Sequence, residues 1–294
     1  MSTTAAHRRT QRAATLLGYA AMVCVLIIVG VPLSRVLITS FEARPDIYTQ
    51  PAVWWPRTWH PGNYTEATTA QPFRSFLRNS LLVTAIVVAV KSVLGVGGAY
   101  GLVFLRFPGK TAIFALVVAA LLVPDEVTVI SNYTLVDQWG WRNTLPGVIV
   151  PLCGGAFGIF LLRNHFRSLP AEVIEAARMD GAGRWQLLTR VVLPMSGPTM
   201  VAFAVVTFVT EWNEYLWPLL MADDARAATL PVGLTMLQET ENPSVTDWGP
   251  VTAGTLLTML PMLLVFLLGQ RHLIRGLTRC VPAAPDPDTG RRPR

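Results

Sequence analysis

The residues of this chain best placed to do chemistry are charges set inside apolar runs. Lys91 stands in the middle of the run 81–104. Pro124-Asp125-Glu126 interrupts the run 112–136, and Glu211-Trp212-Asn213-Glu214 interrupts the run 199–220. An acidic residue at a bilayer centre costs about 2.5–3.5 kcal/mol on an insertion scale, and each Leu, Ile, Val or Phe returns about 0.3–0.6. The 112–136 run therefore about breaks even, and its acidic face should not meet lipid. Two readings stay open for Asp125 and Glu126: a polar face on a water-filled path, or an interhelical pair near the outer interface. Glu211 and Glu214, three apart, should share one helix face, and with Asn213 they favour a pathway or gate lining. Lys91 can pair with a carboxylate of either run, snorkel, or face a water-filled cavity.

Enzyme chemistry finds no support. There is no H-E-x-x-H and no G-x-S-x-G. His7, His60, His165 and His272 lie far apart and outside the apolar runs. Cys24, Cys153 and Cys280 are odd in number and widely spaced, which argues against a disulfide framework or a zinc cluster. Gly109-Lys110-Thr111 matches the end of a phosphate-binding loop, but the required earlier glycine falls on Phe104. No catalytic residue, metal site or resident cofactor is expected, and the chain holds no ATPase site of its own.

The elements that must position these residues are membrane spans. Of 294 residues, 52% are hydrophobic and 14% charged, against about 25% charged in soluble domains. Six apolar segments approach the roughly 20 residues that cross a bilayer: 16–39, 81–104, 112–136, 145–162, 199–220 and 251–268. The first is expected to be an uncleaved span, because no small-x-small site follows it in Val31-Pro32-Leu33-Ser34-Arg35. Pro124 should kink the third span. Sixteen Lys or Arg fall in the N-terminus, the 105–111 and 163–197 loops and the C-terminus, and six in the alternate loops. The first set is therefore cytoplasmic, with both termini inside, as an even number of spans requires. The net charge of +6 is thus a matter of orientation and not a nucleic-acid footprint. The expected fold is an all-α integral membrane protein of six transmembrane helices. Residues 1–14 form a cytoplasmic segment, 15–278 the transmembrane domain (core about 76–270), and 279–294 a disordered tail. Residues 41–76 read as a long outer loop whose tryptophans sit at the headgroup level. Gly97/Gly101 and Gly154/Gly158 are G-x-x-x-G pairs suited to close helix packing.

The loop 168–194 is too polar to cross and too apolar to be free. Ser168 can cap a helix, Pro170 suits its first turn and Glu172 its positive end. Val173, Ala176, Ala177 and Asp180 fall on one small, mostly apolar face. Gly181 is placed to end the helix in a left-handed cap. A second helix restarts near Arg184 with Trp185, Leu188 and Val192 as its stripe, and Leu193-Pro194 stops it. This helix–turn–helix elbow suits a partner's groove.

Glu175-Ala176-Ala177, three residues, Gly181, nine residues and Val191-Val192-Leu193-Pro194 resemble the signature of permease subunits of ABC importers. Val191 in place of Ile is a mild departure. Asn79-Ser80, Arg106-Phe107-Pro108-Gly109-Lys110, Trp212-Asn213, Leu230-Pro231-Val232-Gly233-Leu234 and Arg275-Gly276-Leu277-Thr278 extend the resemblance to the carbohydrate branch, similar to the smaller maltose-importer permease. The resemblance implies a multi-pass subunit of the bacterial inner membrane that forms half of a path for a sugar or oligosaccharide. Its partners would be a second homologous permease, two cytoplasmic ATPase subunits that bind ATP-Mg, an extracytoplasmic sugar-binding protein and membrane lipid. Glu175, Ala176, Ala177, Asp180, Gly181, Leu193 and Pro194 would then couple the chain to the ATPase. Lys91, Asp125, Glu126, Glu211, Trp212, Asn213 and Glu214 would lie along the path. Permeases for polyamines, phosphonates or metals share the elbow signature, and an autonomous ion-coupled transporter is the reading from another class. After Thr278 the family's usual Gly-Ala-Val-Lys-Gly is replaced by Arg279-Cys280-Val281, which puts in doubt a role for the C-terminus at the ATPase.

Overall fold

The structure is a computed structural model that describes residues 3–49, 54–238 and 246–278, with the side chains of 3–14, Asp125 and 271–278 left aside. The expectation of a disordered tail over 279–294 falls outside the described residues, as does Cys280. The described chain is helical. Its extended pairing is a single antiparallel bridge between Glu42 and Trp59. Fourteen helical pieces follow one another, counting Arg184–Met195 as one piece that includes its π turn. They are α1 (Thr3–Thr39), α2 (Arg44–Ile47), α3 (Gly62–Thr69), α4 (Phe73–Phe104), α5 (Lys110–Leu121), α6 (Asp125–Gln138), α7 (Leu145–Leu152), α8 (Ala156–Arg167), α9 (Ala171–Met179), α10 (Arg184–Met195), α11 (Gly197–Trp212), α12 (Leu216–Met221), α13 (Leu230–Gln238) and α14 (Trp248–Thr278). Four segments are long and apolar enough to cross a membrane alone: Thr15–Thr39, Phe73–Phe104, Leu145–Arg167 and Trp248–Gln270. Six do so if each bent pair, α5 with α6 and α10 with α11, counts as one span.

Two expectations change here. The third span is two helices set at 99°. Pro124 has no N–H to continue the helix, and it takes an extended conformation (ψ 137°) that starts α6. Glu126 therefore lies in the first turn of a helix, where the positive end of the dipole favours a carboxylate, and not at mid-helix. The fifth span likewise stops at Trp212 and restarts at Leu216. The first helix begins at Thr3, ahead of its apolar run.

The chain divides into two compact units, residues 1–73 with 234–258 and residues 74–233 with 259–294. In the first unit, the described residues 41–49 and 54–72 of the expected outer loop are folded. Arg35 holds Glu42 with two bonds, Nη1 to Oε1 at 2.8 Å and Nη2 to Oε2 at 3.0 Å, and Glu42 has no exposed surface. Asn63 Nδ2 donates to the Ser40 and Glu42 carbonyls at 3.0 and 2.9 Å. Asp46 accepts from the backbone N–H and hydroxyl of Thr58. Phe41 packs on Trp59 and Tyr64, with ring centroids 5.6 and 5.1 Å apart. Short polar side chains thus satisfy a segment too polar for lipid, and Trp54, Trp55 and Trp59 stay exposed on it.

In the second unit, close approach of helices depends on glycine, but of the two spaced pairs only Gly158 takes part. A Cβ at Gly95 would lie 3.2 Å from the backbone of Gly158, one at Gly98 would lie 2.8 Å from Ile159, and one at Gly158 would lie 2.7 Å from Phe203. Gly97, Gly101 and Gly154 meet nothing within 4 Å. The contact surface of α4 is therefore the Gly95/Gly98 face, set against α8. Gly158→Leu should abolish recovery of folded protein from membranes, whereas Gly97→Leu should leave yield and thermal unfolding in detergent unchanged. Equal behaviour of the two variants would contradict this packing.

Candidate functional site

The elbow is built as a capped, anchored unit. Pro170 stands just before α9 with extended backbone, and Glu172 lies in the first turn. Ser168 instead closes α8, its hydroxyl donating to the His165 carbonyl at 2.7 Å. At the other end Gly181 takes φ +81°. Its N–H bonds the Arg178 carbonyl at 3.1 Å, and the Ala182 N–H bonds the Ala177 carbonyl at 3.0 Å. That is the double bond pattern of a left-handed helix stop, a conformation glycine adopts without steric cost. Gln186 Oε1 accepts from the Gly183 N–H at 3.0 Å to start α10. From Leu187 to Val192 the helix widens to π turns, and the Leu193 N–H reaches back five residues to the Leu188 carbonyl. Pro194, which has no N–H, follows directly, and the ladder widens just before it. The helix continues through Pro194 to Met195 and bends by 76° around buried Ser196, so Leu193-Pro194 does not stop it.

Side-chain placement corrects the expected stripes. Ile174 is buried with Leu187, Leu188, Val192, Phe166, Leu162, Ala99 and Tyr100, and Ala177 and Leu193 pack against that cluster. Each such aliphatic side chain contributes about 1.5–3 kcal/mol on burial. The Tyr100 hydroxyl donates to the Arg184 carbonyl at 2.7 Å and ties the elbow to α4. Ala177 thus faces inward, away from Val173, Ala176 and Asp180. Trp185, expected in the apolar stripe, is 74% exposed, and Leu187 takes its place inside. Widened turns rotate the buried face, a shift that helical spacing cannot register. The surface the elbow offers includes Glu172, Val173, Glu175, Ala176, Arg178, Met179, Asp180, Arg184 and Trp185, with Met179 83% exposed.

Deeper in the second unit, Lys91 Nζ meets Glu211 Oε1 at 2.6 Å. Of the carboxylates open to it in sequence, it takes the one on α11. Glu211 sits one residue before the end of that helix, where the negative end of the dipole opposes a carboxylate, so the lysine offsets both burial and dipole. Trp212 is buried and stacks on Phe208 at 5.6 Å. Asn213, past the helix end, donates to the Val209 carbonyl at 2.7 Å and to Met262 Sδ at 3.3 Å. Glu214 Oε1 accepts from the Trp217 N–H at 3.2 Å, so it starts α12 and does not share a face with Glu211. Glu126 is exposed on the chain, and Asp125 is described only by its place at the start of α6. Lys110, the lysine of the incomplete phosphate-loop match, donates to the Val103 and Leu105 carbonyls and caps α4.

Sequence reasoning missed the fastening of the segment after α12. Buried Asn79 donates to the carbonyls of Ala225, Arg226 and Ala228 at 3.0–3.1 Å. Ser80 accepts from the Leu230 N–H at 2.8 Å. Asn143, at φ 55°, accepts from the N–H groups of Asp223 and Asp224, and Arg142 pairs with Asp223 at 2.9 Å. Hydrogen bonds from Arg226 draw the Asp224 carboxyl down to about 2, so that pair stays charged at any ordinary pH. The signal was a polar Asn-Ser pair opening an apolar helix, but its partners lie about 150 residues away in sequence.

Membrane-length helices, a buried ion pair between α4 and α11 and a folded elbow between α8 and α11 describe an integral-membrane protein. The chain belongs to the binding-protein-dependent transport system inner membrane component family, whose model matches residues 82–279. It is 34% identical over 239 residues to the sn-glycerol-3-phosphate transport system permease protein UgpE of Yersinia pestis bv. Antiqua (81% of this chain, 84% of the relative). It is 31% identical over 271 residues to the same-named protein of Agrobacterium fabrum (90% and 96%). Its fold is similar to a chain of a bacterial ABC transporter that imports the acidic polysaccharide alginate, with TM-score 0.77, 22% identity and coverage of 93% and 99%. A chain of the MetNI methionine ABC transporter is similar at TM-score 0.53, with 19% identity and coverage of 69% and 95%. The protein is thus a permease component of the inner membrane, and the ATPase of such a system is a separate subunit.

Removing one member of the buried ion pair leaves the other uncompensated. Lys91→Met and Glu211→Leu should each destabilise the chain by about 3–5 kcal/mol, and the double variant should recover most of that loss. Thermal unfolding in detergent checks this; additive losses would mean that the pair is not coupled.

Proposed function

We propose that the chain forms half of the translocation path of an ATP-driven importer for a sugar-type solute delivered by an extracytoplasmic binding protein. Its partners are a second homologous permease and two ATPase subunits that bind ATP-Mg. Six spans cross the membrane, with both termini and the elbow in the cytoplasm, as the distribution of basic residues favours. The observation that carries the reading is the elbow. Its Glu175-Ala176-Ala177 and Gly181 form a capped helix that is packed on one side and offers Val173, Ala176, Met179 and Trp185 on the other. Such an exposed, partly apolar helix suits a groove in a partner. The cluster around Ile174 and the Tyr100–Arg184 bond supply a rigid link by which ATPase closure would move α4 and α11. Leu193 packs on that cluster and belongs to the link rather than to the docking face. The relatives' names, which specify sn-glycerol-3-phosphate, support a small polyol or polyol-phosphate cargo, and family membership sets aside the autonomous ion-coupled reading.

Affinity purification from native membranes should recover a second permease and an ATPase with a full phosphate loop. Recovery of this chain alone, in a detergent that preserves known importers, would overturn the proposal. In the recovered complex, Ala176→Trp should uncouple ATP hydrolysis from uptake without lowering the unfolding temperature. Gly181→Val should do so while also costing about 1–2 kcal/mol, because valine must adopt the left-handed conformation. Full coupling in Ala176→Trp would exclude the exposed face of α9 as the docking surface.

A further inference from the structure

Lys91 lies thirteen residues before the end of α4, about 20 Å at 1.5 Å per residue, and so sits at membrane depth. It meets Glu211 at the point where the fifth span is broken between α11 and α12. Unwound backbone at this depth persists only where protein buries it or where it borders water. At this break Asn213 and Tyr215 are exposed and Glu214 is partly exposed, while Trp212 and Trp217 on either side are buried. The polar residues therefore mark the wet side.

The charge balance of that wet side is unusual for a system that would carry an anion. Passage of a phosphate group calls for free cations or convergent N–H donors. Here the ammonium of Lys91 is already matched by Glu211, and Glu214 adds a second carboxylate beside the same break. In the ionised form the three groups sum to one negative charge. Of the other basic residues described on these and the neighbouring spans, Arg74 and Arg78 stand in the first turns of α4, Arg184 and Arg190 on the elbow helix α10, and Lys110, Arg163 and Arg167 at or near the ends of α5 and α8. The Asn213 amide oxygen and the Glu214 carboxylate supply acceptors and the Tyr215 hydroxyl a donor, the mixture that hydroxyl groups require.

Resting on the importer reading above, we propose that the break at Asn213–Tyr215 lines the solute path, and that the Lys91–Glu211 pair adapts it to an uncharged polyhydroxylated solute and against a phosphorylated one. The cargo then differs in charge from the glycerol phosphate for which the relatives are named. Glu211 is the specificity element: it neutralises the cation that would otherwise hold an anion at the centre of the membrane.

The test reads the local field directly. In the complex recovered from membranes, with Cys24, Cys153 and Cys280 replaced by alanine, Asn213→Cys is reacted with a cationic (trimethylammonium) and an anionic (sulfonate) ethyl methanethiosulfonate. Rates are normalised to a free thiol. The cationic reagent should react about tenfold faster, and adding Glu211→Gln should reduce or reverse that ratio by about tenfold. If the Gln variant fails to accumulate, Glu214→Gln removes one carboxylate while leaving the ion pair in place, and should shift the ratio in the same direction. No reaction with either reagent overturns the path assignment. Preference for the anionic reagent, or a ratio unmoved by Gln, overturns the charge assignment. Growth on sn-glycerol-3-phosphate, conferred by the intact system on cells without another uptake route, also overturns it. Loss of the ATPase from the purified complex would sink the importer reading and leave these ratios untouched.

Discussion

Hydrocarbon offers no hydrogen bonds, and that constraint explains most of what this chain does with its backbone and its charges. Every helix end at membrane depth must find its own partners. The α11 terminus illustrates the solution. Asn213 returns its amide to the Val209 carbonyl, Glu214 caps the next helix through the Trp217 N–H, and Lys91 offsets the Glu211 carboxylate against both burial and the helix dipole. Trp217 itself donates its indole N–H to the Gly147 and Val148 carbonyls. The polar residues that look misplaced in an apolar sequence are the ones that make a break in a span affordable.

The same constraint explains why the elbow is rigid and not a loose loop. Leaving the membrane after α8, the chain must turn twice and re-enter. It does so through a short helix closed by a left-handed glycine and a second helix widened by π turns before a proline. Aliphatic burial of Ile174, Leu187, Leu188 and Val192 against α4 and α8 then fixes the elbow to the bundle. Motion imposed on its exposed face would reach the helix that carries Lys91 through side chains already in contact.

Some expectations failed for a common reason. Helical spacing put Glu211 with Glu214, Ala177 with Ala176, and Trp185 with Leu188, because it assumed uninterrupted helices of one pitch. A stop at Trp212 and the widened turns of α10 each broke that assumption, whereas in the regular helix α9 packing alone chose to turn Ala177 inward and leave Ala176 exposed. The Gly97/Gly101 spacing was equally regular, yet α4 packs through Gly95 and Gly98, because a helix offers several small-residue faces and only its neighbours choose among them. The Pro- and Trp-rich stretch 41–76 read as a loop because its order comes from single polar pairs such as Arg35–Glu42 and not from periodicity.

By itself, the amino-acid sequence determined what depends on local composition and spacing. It set an all-helical membrane class, the position of the apolar runs, the proline that breaks the third of them, and an elbow with its glycine stop between two of those runs. Each follows from transfer energies or backbone preferences that act within one or two helical turns. Only the tertiary structure decided which carboxylate Lys91 takes, which glycines let helices touch, which face of the elbow is left open and how Asn79 fastens a segment some 150 residues away. Those choices depend on the distance between residues remote in sequence. That distance is settled by packing, where side chains compete for the same space.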